Sequence, residues 1–156
     1  MVINFHDLYQ KYAQDVYRFS YWLCGDAQDA EDITSETFVR ALTSADEIRT
    51  ETVKGHLSTI ARNLAYKRSK RASRLADLTP GLPALGNGPE QTAETKLSLQ
   101  GVMQFMQTLP EVDRAALLLH IQDDLSYEEI SKVLGISLAA AKVKVHRTRL
   151  KLNAFR

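Results

Sequence analysis

Apolar side chains recur at three- and four-residue spacing along nearly the whole chain, the period of an amphipathic α-helix. One stretch breaks the pattern. Between residues 75 and 95 stand Pro80, Pro83 and Pro89, three of the four prolines, together with Gly81, Gly86 and Gly88. Proline lacks a backbone donor and glycine supplies turns, so neither continues a helix. The pattern predicts two small helical domains, residues 1–74 and 96–156, joined by a flexible linker over 75–95. Such a linker averages roughly 25 Å end to end and reaches on the order of 70 Å when stretched. No segment shows the period-two alternation of a strand. The fold class is all-α.

The first half divides into three helical patterns. Phe5, Leu8, Tyr9, Tyr12, Val16, Phe19 and Leu23 mark the first, which Gly25 ends. Asp26 is placed to cap the second, with Ala30, Ile33, Thr37, Phe38, Ala41 and Leu42 on its apolar face. After the polar loop Ser44 to Glu51 come Val53, Leu57, Ile60, Ala61 and Leu64, which define the third. In the second half, Leu99, Val102, Met103 and Met106 form one helix. Pro110 opens another, which carries Ala115, Leu117, Leu118 and Ile121.

The formal net charge is only +1, but its distribution is uneven. Residues 1–61 hold ten acids and five bases, and residues 62–74 hold six bases and no acid. Residues 75–129 hold nine acids and two bases, and residues 130–156 hold seven bases and no acid. Two basic blocks alternating with acidic ones suit two separate contacts with a polyanion; solvated helix faces are the plainer alternative. Cys24, the one cysteine, excludes an internal disulfide and a cysteine-based zinc site and fits a reducing compartment. No apolar run approaches the ~20 residues of a membrane span, and the start MVINFHDLYQ lacks the pattern of a signal peptide. A cytoplasmic protein with no membrane insertion of its own is expected.

Residues 126–150, SYEEISKVLGISLAAAKVKVHRTRL, carry the most specific signal. Ser126 and Glu129 have capping-box spacing. Ile130, Val133 and Leu134 give an apolar face, Gly135 the turn, Ile136 a core plug and Ser137 a second cap. The helix that follows opens with small residues, which slim its leading face for a major groove, and continues with cations for the flanking phosphates. Val143, Val145 and Leu150 are available to pack it on its neighbours. The order cap, glycine turn, cap and basic helix is that of a helix-turn-helix.

Here the chain resembles the extracytoplasmic-function (ECF) σ factors of RNA polymerase, group 4 of the σ70 family, over nearly its whole length. DAEDITSETFVRAL (29–42) resembles the family's region 2.2, and HLSTIARNLAYKRSKR (56–71) the end of region 2.3 with region 2.4. LPEVDRAALLLH (109–120), LSYEEISKVLGIS (125–137) and KVKVHRTRLKL (142–152) resemble region 4. His56 stands where many members carry tryptophan, Ser35 where glutamine is frequent, and Ala139-Ala140-Ala141 where a Gly-Thr-Val type sequence is common.

The resemblance implies a three- to four-helix region 2 domain and a region 4 helix-turn-helix domain that together direct promoter-specific initiation without catalysing a reaction. Asp29, Glu31, Asp32 and Glu36 would bind core polymerase, at the coiled coil of its largest subunit. Region 4 would meet the flap of the second-largest subunit. Arg62, Asn63, Tyr66, Lys67, Arg68, Lys70 and Arg71 would hold the melted −10 element, with the loop Ser44 to Glu51 as a pocket wall. Ser137, Ala139, Ala140, Lys142, Lys144, His146 and Arg147 would bind the −35 duplex, Lys144 and Arg147 being the first candidates for base readers. An anti-σ factor is the implied regulator. No catalytic residue, metal ligand or cofactor is expected: His120 and His146 lack metal-ligand spacing, and Gly81 to Gly88 lacks the lysine of a phosphate loop. A stand-alone helix-turn-helix repressor, a σ-like decoy for an anti-σ protein and an enzyme are the competing readings.

Overall fold

The computed structural model describes residues 5–43, 52–78 and 98–155. The loop Ser44 to Glu51 and residues 79–97, most of the expected linker, lie outside the described residues. The described residues form seven helices and no strand.

Three helices make the first half: α1 (Phe5–Cys24), α2 (Ala27–Thr43) and α3 (Val53–Leu78). Gly25 takes a left-handed conformation, φ 76°, and its N–H donates to the Tyr21 carbonyl at 2.7 Å, closing α1. The Asp26 carboxylate accepts from Gln28 N–H at 3.0 Å and starts α2. Thr52 Oγ1 accepts from Gly55 N–H at 2.9 Å and starts α3. Phe19, Leu23, Ile33, Phe38 and Leu57 are fully buried between the three. Thr34 and Thr37 are also buried, and each donates its hydroxyl at 2.6 Å to the carbonyl four residues back, so neither leaves a polar group stranded.

The second half has four helices: α4 (Leu99–Thr108), α5 (Glu111–Ile121), α6 (Tyr127–Leu134) and α7 (Leu138–Ala154). Ser126 Oγ accepts from Glu129 N–H, Gly135 sits at φ 66°, and Ser137 Oγ accepts from Ala140 N–H, giving the predicted helix-turn-helix. Leu117, Leu118, Leu119, Ile130, Val145 and Thr148 form its centre.

The two halves are docked. α1 packs against α4 and α5, and α3 packs against α5 and α6. Their buried apolar residues form one continuous cluster, from Leu8 to Val145.

Several expectations change. α3 runs on to Leu78, past the expected boundary at residue 74 and into the segment read as linker. Leu42, Leu99 and Ile121 are exposed rather than packed. Val143 and Leu150 are 50% and 55% exposed, so they do not hold α7 on its neighbours. A 3.6-residue turn puts residues two apart on opposite faces. Val143 lies two residues from both Ala141 and Val145, and Leu150 two from Thr148, all of which are buried. The packing face of α7 is therefore Ala141, Val145, Thr148 and the partly buried Leu152.

Candidate nucleic-acid interface

The basic block at 62–74 falls entirely on α3. Asn63, Tyr66, Lys67, Lys70 and Arg71 are exposed, and Arg62 and Arg68 are half-buried. Tyr66 is 39% exposed. The Arg62 guanidinium lies 5.1 Å and the Lys70 ammonium 5.3 Å from its ring centroid. These are cation–π distances, and they hold the ring beside positive charge. Tyr66, Lys67, Lys70, Arg71 and Arg74 line a surface hollow of about 340 Å³. A basic hollow beside an accessible aromatic ring suits a nucleic-acid strand with unstacked bases.

The acidic residues of α2 are divided between two sides. Asp29, Asp32 and Glu36 lie toward α3, where Arg68 Nη1 stands 3.2 Å from Asp29 and 3.6 Å from Asp32, and Arg40 binds Glu36 at 3.0 Å. Glu31 faces the other way, onto a groove of about 720 Å³ lined also by Tyr9, Tyr17, Arg18 and Tyr21. The acidic face is thus partly neutralised by arginines. These pairs are solvent-exposed, and such pairs contribute only about 0–1 kcal/mol each. A competing basic surface displaces them at little cost.

Three sets of polar contacts join the halves. Arg62 Nε and Nη2 donate to the two carboxylate oxygens of Glu111 at 3.1 and 2.9 Å, in side chains only 15% and 19% exposed. Lys54 lies 3.8 Å from Asp15 and 3.9 Å from the buried Asp123. Gln107 Nε2 donates to the Trp22 carbonyl at 3.0 Å. Burial pushes the Asp123 carboxyl up to about 7; Lys54 pulls it down, Asp15 raises it and Arg18 lowers it. Cys24 sits in a cleft of about 230 Å³ between the halves, with Arg68, Gln107 and Arg114 among its neighbours. Burial, aided by Asp29, raises its thiol to about 11. A thiol so placed is packed and unreactive.

The second basic block is α7, which packs on α5 and α6, with Phe155 at its C-terminal end stacked on Phe105 of α4. The described residues of the first half do not cover its outer face. Ser137, Ala139, Lys142, His146 and Arg147 are exposed there, and Ala140 is half-exposed. Lys144 is engaged elsewhere: its ammonium donates to Asp113 of α5 at 3.1 Å, against a carboxylate side chain only 7% exposed. A lysine neutralising a buried carboxylate is held for the packing of α7 rather than offered to a base.

The sequence did not reveal Glu111, Asp113, Asp123 or Lys54 as partners, because nothing local links them to the cations they meet. The outward turn of Val143 was readable, since Val143 and Val145 cannot share a helix face. Among the described residues no His, Cys, Asp and Glu group has the arrangement of a metal site, and no helix is long and apolar enough to cross a membrane.

Residues 8–75 match the family profile of σ70 region 2, and residues 99–152 that of σ70 region 4. The chain is 34% identical over 153 residues to the ECF RNA polymerase sigma factor SigM of Bacillus subtilis, covering 95% of this chain and 92% of that one. It is 32% identical over 157 residues to the ECF RNA polymerase sigma factor SigE of Mycolicibacterium smegmatis, covering 97% of this chain but 61% of that longer relative. Its fold matches that of the sigma factor RpoE in a co-crystal with the anti-sigma factor NepR from Bartonella quintana, with a TM-score of 0.82 at 22% identity over 99% of this chain and 97% of that chain.

Proposed function

Because this chain belongs to the ECF σ factors of RNA polymerase, we propose that it carries core enzyme to promoters through three surfaces on three helices. The exposed acids of α2, Asp29, Asp32 and Glu36, dock on a basic surface of the core, which the family places on the coiled coil of the largest subunit. The basic face of α3 holds the separated strands of the −10 element: Asn63 is free to hydrogen-bond a base edge, Tyr66 to stack, and Lys67, Lys70 and Arg71 to meet phosphates. The outer face of α7 enters the major groove at the −35 element, with Arg147 as the first base reader and Lys142 and His146 beside it. Lys144 is a positioning residue that seats α7 through Asp113.

The observation that carries this reading is the presence of two exposed basic helix faces, on α3 and α7, the latter left uncovered by the other described residues while the halves are docked. Docking engages Arg62, one of the −10 cations, so the compact form is a resting state that must open before strands are melted. An anti-σ partner that stabilises the docked form would keep the factor silent.

Run-off transcription with purified core and randomised promoters tests the reading. The chain should enrich a two-part promoter, and Asn63→Ala should reduce open complexes more than closed ones. A chain that never associates with core, with no inhibitor present, refutes it. Footprinting separates it from the repressor reading, since a repressor protects a palindrome without polymerase.

A further inference from the structure

Val143 is an aliphatic side chain at the centre of the exposed face of α7. It is 50% exposed, two residues from the buried Ala141 and two from the buried Val145, so the helix period directs it straight away from α5 and α6. Ala139, one turn earlier, and His146 and Arg147, one turn later, share its side of the helix and are exposed as well. An exposed valine on a surface helix gains nothing from water, and no other element of the described structure covers it.

Its surroundings point to its partner. α7 holds no acid, and Lys142, His146, Arg147 and Arg149 flank the valine on both sides. A cationic rim around a small apolar centre fits a groove lined with phosphates. Val143 also lies in the second turn from the Ser137 cap, and the early turns of a recognition helix are the ones that reach base edges.

We infer that Val143 reads the 5-methyl group of a thymine in the upstream promoter element. The inference rests on the proposed entry of α7 into the major groove. Of the groups that base pairs present there, the thymine methyl is the apolar one, and the rest are hydrogen-bond donors or acceptors. A valine against those polar edges would strip their water and return no hydrogen bond. The valine therefore selects by attraction to T and by exclusion elsewhere, while Arg147 supplies the hydrogen bonds to a neighbouring base. Val143 is a specificity-determining residue, and an arginine or lysine at its position would prefer a guanine.

Deoxyuridine tests this directly, since it differs from thymidine only by the missing methyl. The full chain assembled with core binds its selected promoter duplex in which each upstream thymine, one at a time, is replaced by deoxyuridine. At one thymine the wild type should lose about three- to fivefold in affinity, the value of one buried methyl. Val143→Ala should bind the thymine duplex that much more weakly and no longer distinguish the two duplexes. Val143→Thr keeps the shape and should retain part of the discrimination. Since Val143 is exposed, both variants should melt with the wild type. Deoxyuridine neutral at every position, or equally harmful to wild type and Val143→Ala, overturns the role of Val143 and leaves the −35 reading standing. Failure of the wild type to select any upstream sequence overturns both.

Discussion

Arg62 and Glu111, 49 residues apart in sequence, hold each other through two hydrogen bonds of 3.1 and 2.9 Å and so tie α3 to the first turn of α5. The pairing is bidentate and sheltered, which makes it stronger than the exposed pairs on α2. One cation therefore serves two states. It latches the halves together in the docked molecule, and under the proposed function it would meet a phosphate only when the latch opens.

Removing the latch should open the protein. Hydrogen bonds to charged groups contribute about 1.5–3 kcal/mol, so Glu111→Ala should shift the docked–open balance by roughly ten- to a hundredfold. Cys24 reports it, because the thiol lies in the cleft between the halves. Alkylation of Cys24 should accelerate in Glu111→Ala and the scattering radius should grow. Gly55→Ala should act in the same direction but more weakly, because a Cβ there displaces only the carboxylate end of the Glu129 side chain across the interface. Unchanged alkylation in both variants would remove the latch from the account.

Docking should also depend on pH. Asp123 is held at about 7 in the docked form, against an ordinary value of 3.8. The docked form therefore binds a proton that the open form releases. This contribution to docking is fully present below about 4, is lost as pH rises through 7, and is flat above that. Between those limits the docked-to-open ratio should fall by up to about tenfold per pH unit. Asp123→Asn cannot ionise and should flatten the response, measured by Cys24 alkylation corrected for the intrinsic pH dependence of a free thiol.

Lys144 and Lys142 are both cations of α7, but they should behave differently. Lys144→Ala strands the buried Asp113 carboxylate, at a cost of about 1–3 kcal/mol and roughly 3–8 °C in Tm. Asp113→Asn in the same chain should restore most of the loss. Lys142→Ala should leave Tm unchanged and weaken binding to all duplexes alike, with a shallower salt dependence. A Lys144→Ala protein that melts normally but prefers a different −35 sequence would return Lys144 to the base readers.

Charge reversal on α2 should separate docking on core from binding to DNA. Asp32→Lys with Glu36→Lys should reduce affinity for core by an order of magnitude or more, by inverting a complementary face. Binding of the isolated chain to duplex DNA should not weaken. Core affinity equal to wild type would assign that face to another role.

The sequence by itself determined the helices and their ends. Gly25, Ser126, Gly135 and Ser137 act through backbone conformation and hydrogen bonds to residues two to five positions away, and such local terms are written in the order of residues. The basic and acidic blocks and the resemblance of two separated motifs were legible for the same reason. Tertiary structure alone decided which charges remain for a ligand. Arg62, Arg68 and Lys144 read as equals of Lys70 and Arg147, yet their partners, Glu111, Asp29 and Asp113, come from other helices. Coulomb attraction acts through space and local dielectric, not along the chain. Apolar burial, which carries no sequence motif, brought those groups within reach: helix packing inside each half did so for Arg68 and Lys144, and the docking of the two halves did so for Arg62.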